Sequence, residues 1–241
     1  MIDDKIRREW DDTGWDYRRS ISSGTSSSAW LRDILLKPAI VRLLGDRSKA
    51  RVLDVGTGGG WLFDEVPVAE AHACDISPPE KIDPRVDFRV ADVLELPYQN
   101  EIFDAVVASI VLCYVDDLPK AAAELARVTK SGGAAVVALV HPYFYRTGHV
   151  EADDSYRITE DLAEQRSFPI RIGEQSGPFT YYFHPFPHYL NAFVSTGWFV
   201  DHVEDAFIPI NRYLLQFPNG VDPVRRTSRV PIFTFMAFRR E

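Results

Sequence analysis

The chain has 241 residues, 46% hydrophobic and 26% charged, with 27 Lys+Arg against 35 Asp+Glu and a formal net charge of −8. That is globular composition at a length suited to one α/β domain with an elaboration, and it excludes disordered, collagen-like and coiled-coil chains. The acidic total argues against nucleic acid as a partner, and the longest clean apolar run, Ala134 to Val140, is far short of the roughly 18 residues of a membrane helix.

The first 30 residues are charged and carry no apolar leader, so an unexported, soluble, cytoplasmic protein is expected. The two cysteines, Cys74 and Cys113, sit in apolar stretches without metal-ligand spacing, so no metal site is expected. Residues 1–28 are polar yet carry Trp10, Trp15 and Tyr17, which predicts an arm that docks on something. From Ala29 to Leu44 the apolar residues follow helical spacing, with Pro38 breaking or kinking the middle and Gly45 as C-cap.

Short apolar segments follow at Arg51–Val55, Ala71–Asp75, Val86–Ala91, Asp104–Ser109 and Ala134–Val140. Their alternation with helical or turn-like stretches predicts a parallel sheet with helices on its faces. The clearest crossover helix is Leu118–Lys130, whereas Pro78 to Pro84 reads as a loop. After His141 the chain turns rich in Pro, Gly and aromatics, with a short helix expected at Tyr189–Ser195. Two last strands are expected at Trp198–Val203 and Ile232–Phe238, joined by an irregular connection from Phe207 to Val230. One domain is expected over 1–241: an N-terminal helical arm or lid (1–45), a ligand-binding half (46–141), and a substrate cap with C-terminal strands (142–241).

The most informative segment is Val52-Leu53-Asp54-Val55-Gly56-Thr57-Gly58-Gly59-Gly60. A strand that ends in an acidic residue and runs into glycines marks the crevice where an open α/β sheet meets its ligand. A dinucleotide fingerprint needs its third glycine where Trp61 stands, and a P-loop needs G-K-[ST] after the glycines; both are missing. The pattern D-x-G-x-G-x-G instead resembles motif I of the class I S-adenosylmethionine-dependent methyltransferases. Asp75 ends the second strand, Asp92-Val93 follows the third, Ser109-Ile110 follows the fourth, and Leu125 to Gly133 leads into the fifth, all in that family's order.

The resemblance implies a Rossmann-like fold with a mostly parallel seven-stranded sheet, helices on both faces and an inserted cap. It implies S-adenosyl-L-methionine as cofactor, with S-adenosyl-L-homocysteine as product, held by Asp54, Gly56, Thr57, Gly58, Gly60, Asp75, Ile76, Asp92, Val93, Ser109 and Ile110. It also implies a small-molecule acceptor, N- or O-methylated, and a monomer or homodimer without nucleic acid or membrane. A methyltransferase acting on a peptide or RNA, and a donor-binding protein without catalysis, stand as alternatives.

Methyl transfer from a sulfonium is an in-line displacement, so positioning can supply up to about 7–11 kcal/mol of the barrier. Asp54 orients the loop or meets the methionine ammonium, and Asp75 accepts the ribose hydroxyls or, failing that, caps a helix. Asp92 is read as an adenine contact or as a plain turn residue. His141, beyond the fifth strand, either exchanges the acceptor's proton or is a satisfied structural histidine. Tyr17 either approaches the methyl or packs the arm. Tyr143, Tyr182 and His184 are expected in the acceptor pocket.

Overall fold

The computed structural model describes residues 5–12, 14, 26–144, 148–151, 155–171, 178–218 and 230–241. In chain order come α1 (5–12), α2 (Ser27–Leu31), a π-helical turn (Arg32–Leu36), α3 (Lys37–Leu44), β1 (Arg47–Val55), α4 (Leu62–Glu65), β2 (Val68–Asp75), β3 (Val86–Val90) and β4 (Phe103–Ser109). A 3-10 turn (Leu112–Tyr114), α5 (Leu118–Val128) and β5 (Thr129–Val140) follow. Then come β6 (Gly148–Val150), β7 (Tyr156–Ile158), β8 (Arg166–Ile170), β9 (Phe179–Phe183), α6 (Phe186–Val194), β10 (Trp198–Ala206), α7 (Ile210–Gln216) and β11 (Phe233–Arg240).

Seven of the strands form one sheet in the order β10-β11-β5-β4-β1-β2-β3. β1 lies parallel to both β2 and β4, β3 extends β2, and β5 extends β4. Only β11 runs antiparallel, between β5 and β10. The order reverses between β1 and β4, and the crevice above the C-terminal ends of strands at such a switch is where open α/β sheets hold ligands.

Alternation along the central strands feeds two cores. Leu53, Val106, Ala108 and Val137 face α5 and α6, while Val52, Ala105, Val107 and Val136 face α2, α3, α4 and α7. A third aromatic cluster joins the β8–β9 ribbon to the 3-10 turn through Phe179, Tyr181, Phe183 and Tyr114. The mostly parallel seven-stranded sheet, clothed on both faces, is the architecture the resemblance implies.

The 29–44 segment is interrupted as expected: a π turn separates α2 from α3, and Pro38 stands in the first turn of α3, where its missing N–H donor is tolerated. Gly45 does close α3, at φ +66° with its N–H on the Val41 carbonyl. Three local features differ from the sequence expectation. The fifth strand starts at Thr129, directly after α5, instead of at Ala134. The connection read as irregular contains α7, whose Ile210, Tyr213, Leu214 and Phe217 recur at helical spacing and pack on the core. In the 142–190 region the chain forms two antiparallel ribbons, β6–β7 and β8–β9.

Candidate active site

β1 delivers Asp54 and Val55 to the sheet's C-terminal edge, where the chain turns sharply. The N–H groups of Gly56 and Thr57 both reach the Cys74 carbonyl, at 2.8 and 3.1 Å. Gly56 has φ +67°, and a Cβ there would stand 2.6 Å from Val111 of the neighbouring β4 loop, so only glycine fits. Gly58, at φ +59°, is different: a Cβ would meet no protein atom within 4 Å, because this part of the loop borders open space.

Three carboxylates face that space. Asp54 is buried and accepts a 2.6 Å hydrogen bond from the Thr57 hydroxyl. Burial pushes its carboxyl up to about 7 and the nearby Asp75 adds to this, whereas the Thr57 bond and the Arg32 guanidinium oppose it. Asp75 spreads its carboxylate over the loop, with Oδ2 accepting from Gly58 N at 2.8 Å and Oδ1 from Ser77 N at 3.1 Å. Asp92 accepts from Leu94 N at 2.9 Å through Oδ1, a turn of the kind Asp commonly makes.

The β4 end closes the other side. Ser109 presents a buried Oγ with no hydrogen-bond partner. Ile110 has φ +55°, an outlier for a β-branched residue, and its N–H is held by the Ala138 carbonyl at 2.7 Å. Strain of this kind clusters at ligand sites, where surrounding structure enforces it.

Helix α1 lies across the top. Glu9 accepts from both the N–H and the hydroxyl of Thr180, each at 2.8 Å, tying α1 to β9. Trp10 packs edge-on against Tyr114 at 5.0 Å and tilted against Phe179 at 4.5 Å.

Together these elements bound one open cleft. Of the residues singled out by sequence, it is lined by Asp54, Gly56, Thr57, Gly58, Asp75, Ile76, Asp92, Val93, Ser109, Ile110 and Tyr182. Gly60, His141, Tyr143 and His184 are not part of the lining. Tyr17 lies outside the described residues.

The two buried histidines have structural partners instead. His141 Nδ1 accepts from Tyr143 N at 3.2 Å, its ring stacks on Phe186, and Nε2 stands 3.7 Å from Asp205. Burial lowers its pKa, opposed by Asp205. His184 Nε2 meets the Val115 carbonyl at 2.8 Å, and burial likewise lowers its pKa against the pull of that carbonyl.

The sequence reading missed Arg32, Ile6, Trp61, Tyr114 and Asp116, all of which line the cleft. Arg32 opens the π turn, where only the apolar stripe was read; Tyr114 and Asp116 lie just past the β4 motif, in a segment with no pattern of its own. Among the described residues, no group of three or more His, Cys, Asp and Glu is placed to hold a metal, and no helix is long and apolar enough to cross a membrane.

Residues 53–137, which contain the glycine loop and all three carboxylates, match the methyltransferase domain family. Over that stretch the chain is similar to the methyltransferase domain, in the class I fold described above. A demethylmenaquinone methyltransferase of Renibacterium salmoninarum is 33% identical over 162 residues, covering 61% of this chain and 65% of that protein. A malonyl-[acyl-carrier protein] O-methyltransferase of Halorhodospira halophila is 32% identical over 123 residues, covering 45% and 42%. The chain thus spans less than two thirds of the length of these relatives.

The fold likeness extends further. An S-adenosylmethionine-dependent methyltransferase from Mesorhizobium loti superposes with a TM-score of 0.65 at 21% identity, covering 84% of this chain and 96% of that one. A geranyl diphosphate C-methyltransferase from Streptomyces coelicolor, solved with S-adenosyl-L-homocysteine, does so at 0.61 and 15%, covering 98% and 97%. S-adenosylmethionine is the cofactor of this domain type, and the residues present fit it. The cleft brings together a guanidinium, four carboxylates, an open glycine loop and an orphaned buried hydroxyl.

Proposed function

We propose that the protein transfers a methyl group to an N or O atom of a small, aromatic or apolar acceptor by in-line displacement. S-adenosylmethionine supplies, when bound, a methyl made electrophilic by its sulfonium. The observation that carries the proposal is the order of chemistry along the cleft: Arg32, Asp54 and Asp75 at the glycine-loop end, then rings of Trp10, Tyr114 and Tyr182 beyond the β4 end.

Arg32 matches a carboxylate, Asp54 an ammonium, and Asp75, a carboxylate at the end of β2, a pair of vicinal hydroxyls. Asp92, Val93 and Leu94 form the wall at the β3 end, where a flat base fits against the apolar side chains. Ser109 Oγ turns its unused hydrogen-bonding capacity toward the same ligand. The chain's contribution to rate is then alignment and the exclusion of water by the α1 cover.

This reading takes the chain as one methyltransferase unit with an arm (1–45), a donor-binding half (46–141) and a cap with C-terminal strands (142–241), working in the cytoplasm as monomer or homodimer. Calorimetric titration with S-adenosyl-L-homocysteine in the presence of a chelator tests it. Micromolar binding is expected; no heat with that compound and a clear signal with NAD would overturn it.

A further inference from the structure

We propose, resting on the methyltransferase reading above, that the acceptor is an amine that docks as its ammonium form, with Asp116 as the recognising carboxylate. Four carboxylates line the cleft (Asp54, Asp75, Asp92, Asp116) and Arg32 is the one Lys or Arg among the lining residues described. Arg32 acts on Asp54, at the glycine-loop end. Among the described residues, the acceptor end therefore has no lining Lys or Arg to meet a carboxylate, phosphate or diphosphate.

What it has is π faces and a negative charge. Trp10 and Tyr114 meet at 5.0 Å and 87°, and Tyr182 lines the same cleft from β9. Ring faces attract an ammonium through their quadrupole, and a carboxylate beside them supplies the charge-assisted hydrogen bond. Asp116 follows Tyr114 by two residues and sits exposed at the mouth, steadied by the Gln165 side-chain amide at 3.3 Å from Oδ1.

His184 explains how these pieces come to lie together. Its 2.8 Å contact with the Val115 carbonyl joins the end of β9 to the segment between Tyr114 and Asp116, and its ring stacks on Tyr182. The cap strand is thereby set beside the acidic loop, with Tyr182 and Asp116 on one cleft.

For transfer, the ammonium, held by Asp116, releases one proton to water at the open mouth. The freed nitrogen lone pair then forms the N–C bond as the C–S bond breaks, its electron pair staying on sulfur.

The test uses three probes with one apolar body: phenethylamine, 2-phenylethanol and phenylacetate, titrated calorimetrically into protein saturated with S-adenosyl-L-homocysteine. Phenethylamine is expected to bind at least tenfold tighter than the other two. Asp116→Asn should erase that preference while leaving S-adenosyl-L-homocysteine affinity within threefold. Phenylacetate binding as tightly as the amine, a preference that survives in Asp116→Asn, or no binding of any probe by the saturated protein would each overturn the proposal. Failure to bind S-adenosyl-L-homocysteine at all would instead overturn the reading beneath it.

Discussion

The Thr57 hydroxyl donates a 2.6 Å hydrogen bond to Asp54 Oδ2 in the buried floor of the cleft. This bond stabilises the ionised carboxylate, but burial outweighs it and leaves Asp54 titrating near 7.

Donor affinity should therefore depend on pH. Below about pH 7 the free protein holds a proton on Asp54 that an incoming ammonium must displace, so affinity falls as pH drops, approaching tenfold per unit. Titrations with S-adenosyl-L-homocysteine between pH 8 and 5.5, in buffers of different ionisation heat, should show weakening and proton release together. A flat profile would remove Asp54 from the ammonium site.

The same group works against the fold at high pH. Its folded pKa is raised above the unfolded value, so its stabilising effect is complete below roughly pH 4 and is lost as pH rises through about 7. Asp54→Asn should raise Tm relative to the parent at pH 8, and much less at pH 5, while weakening S-adenosyl-L-homocysteine binding at least tenfold. Equal Tm differences at the two pH values would contradict the assignment.

Two glycines of the loop should behave differently. Alanine at Gly56 places Cβ 2.6 Å from Val111 at φ +67°, which combines overpacking with left-handed strain and should cost about 3 kcal/mol. Alanine at Gly58 suffers only the strain, about 1 kcal/mol, since nothing lies within 4 Å. Urea midpoints measure the first, and donor affinity should register the second more than stability does. Similar midpoints for the two variants would refute the Val111 argument.

The contrast shows what the sequence made legible. Strands, their order and the glycine loop announce themselves because buried parallel strands are continuous apolar runs and a ligand crevice needs glycine at positive φ. Helix α7 is not announced by the sequence because its four apolar residues lie inside a connection of mixed composition. Arg32, Tyr114 and Asp116 are brought to the cleft by tertiary contacts, such as the His184 to Val115 bond, which no local pattern encodes.

The arm should govern ligand residence. Glu9 holds Thr180 through two 2.8 Å bonds, and α1 carries Ile6 and Trp10 into the cleft wall. Glu9→Ala removes both bonds, worth about 2 kcal/mol for a charged acceptor, and weakens an attachment that Trp10 and the Lys5 bond to Thr180 share. Faster dissociation of S-adenosyl-L-homocysteine, by fivefold or more, and earlier proteolytic cleavage within α1 are expected. Unchanged dissociation would mean that α1 covers the cleft without gating it.

His141 provides the sharpest separation between site and scaffold. Its position at the end of β5 made it a candidate base by sequence, yet Nδ1 is occupied by Tyr143 N at 3.2 Å and the ring is packed against Phe186 outside the cleft lining. Such a histidine holds a turn in its neutral form. Because burial depresses its folded pKa below the unfolded value near 6.5, the unfolded chain binds the proton more readily, and stability is lost as pH falls below that value. His141→Asn keeps an acceptor close to where Nδ1 stands and has no proton to take up. The variant should therefore lose stability at pH 8, where the lost ring packing dominates, and lose less or none at pH 5, while turnover and its pH profile stay within about twofold. A fall in kcat of tenfold or more with an unchanged Tm would return His141 to the chemistry, with Asp205, 3.7 Å from Nε2, as the group that orients it.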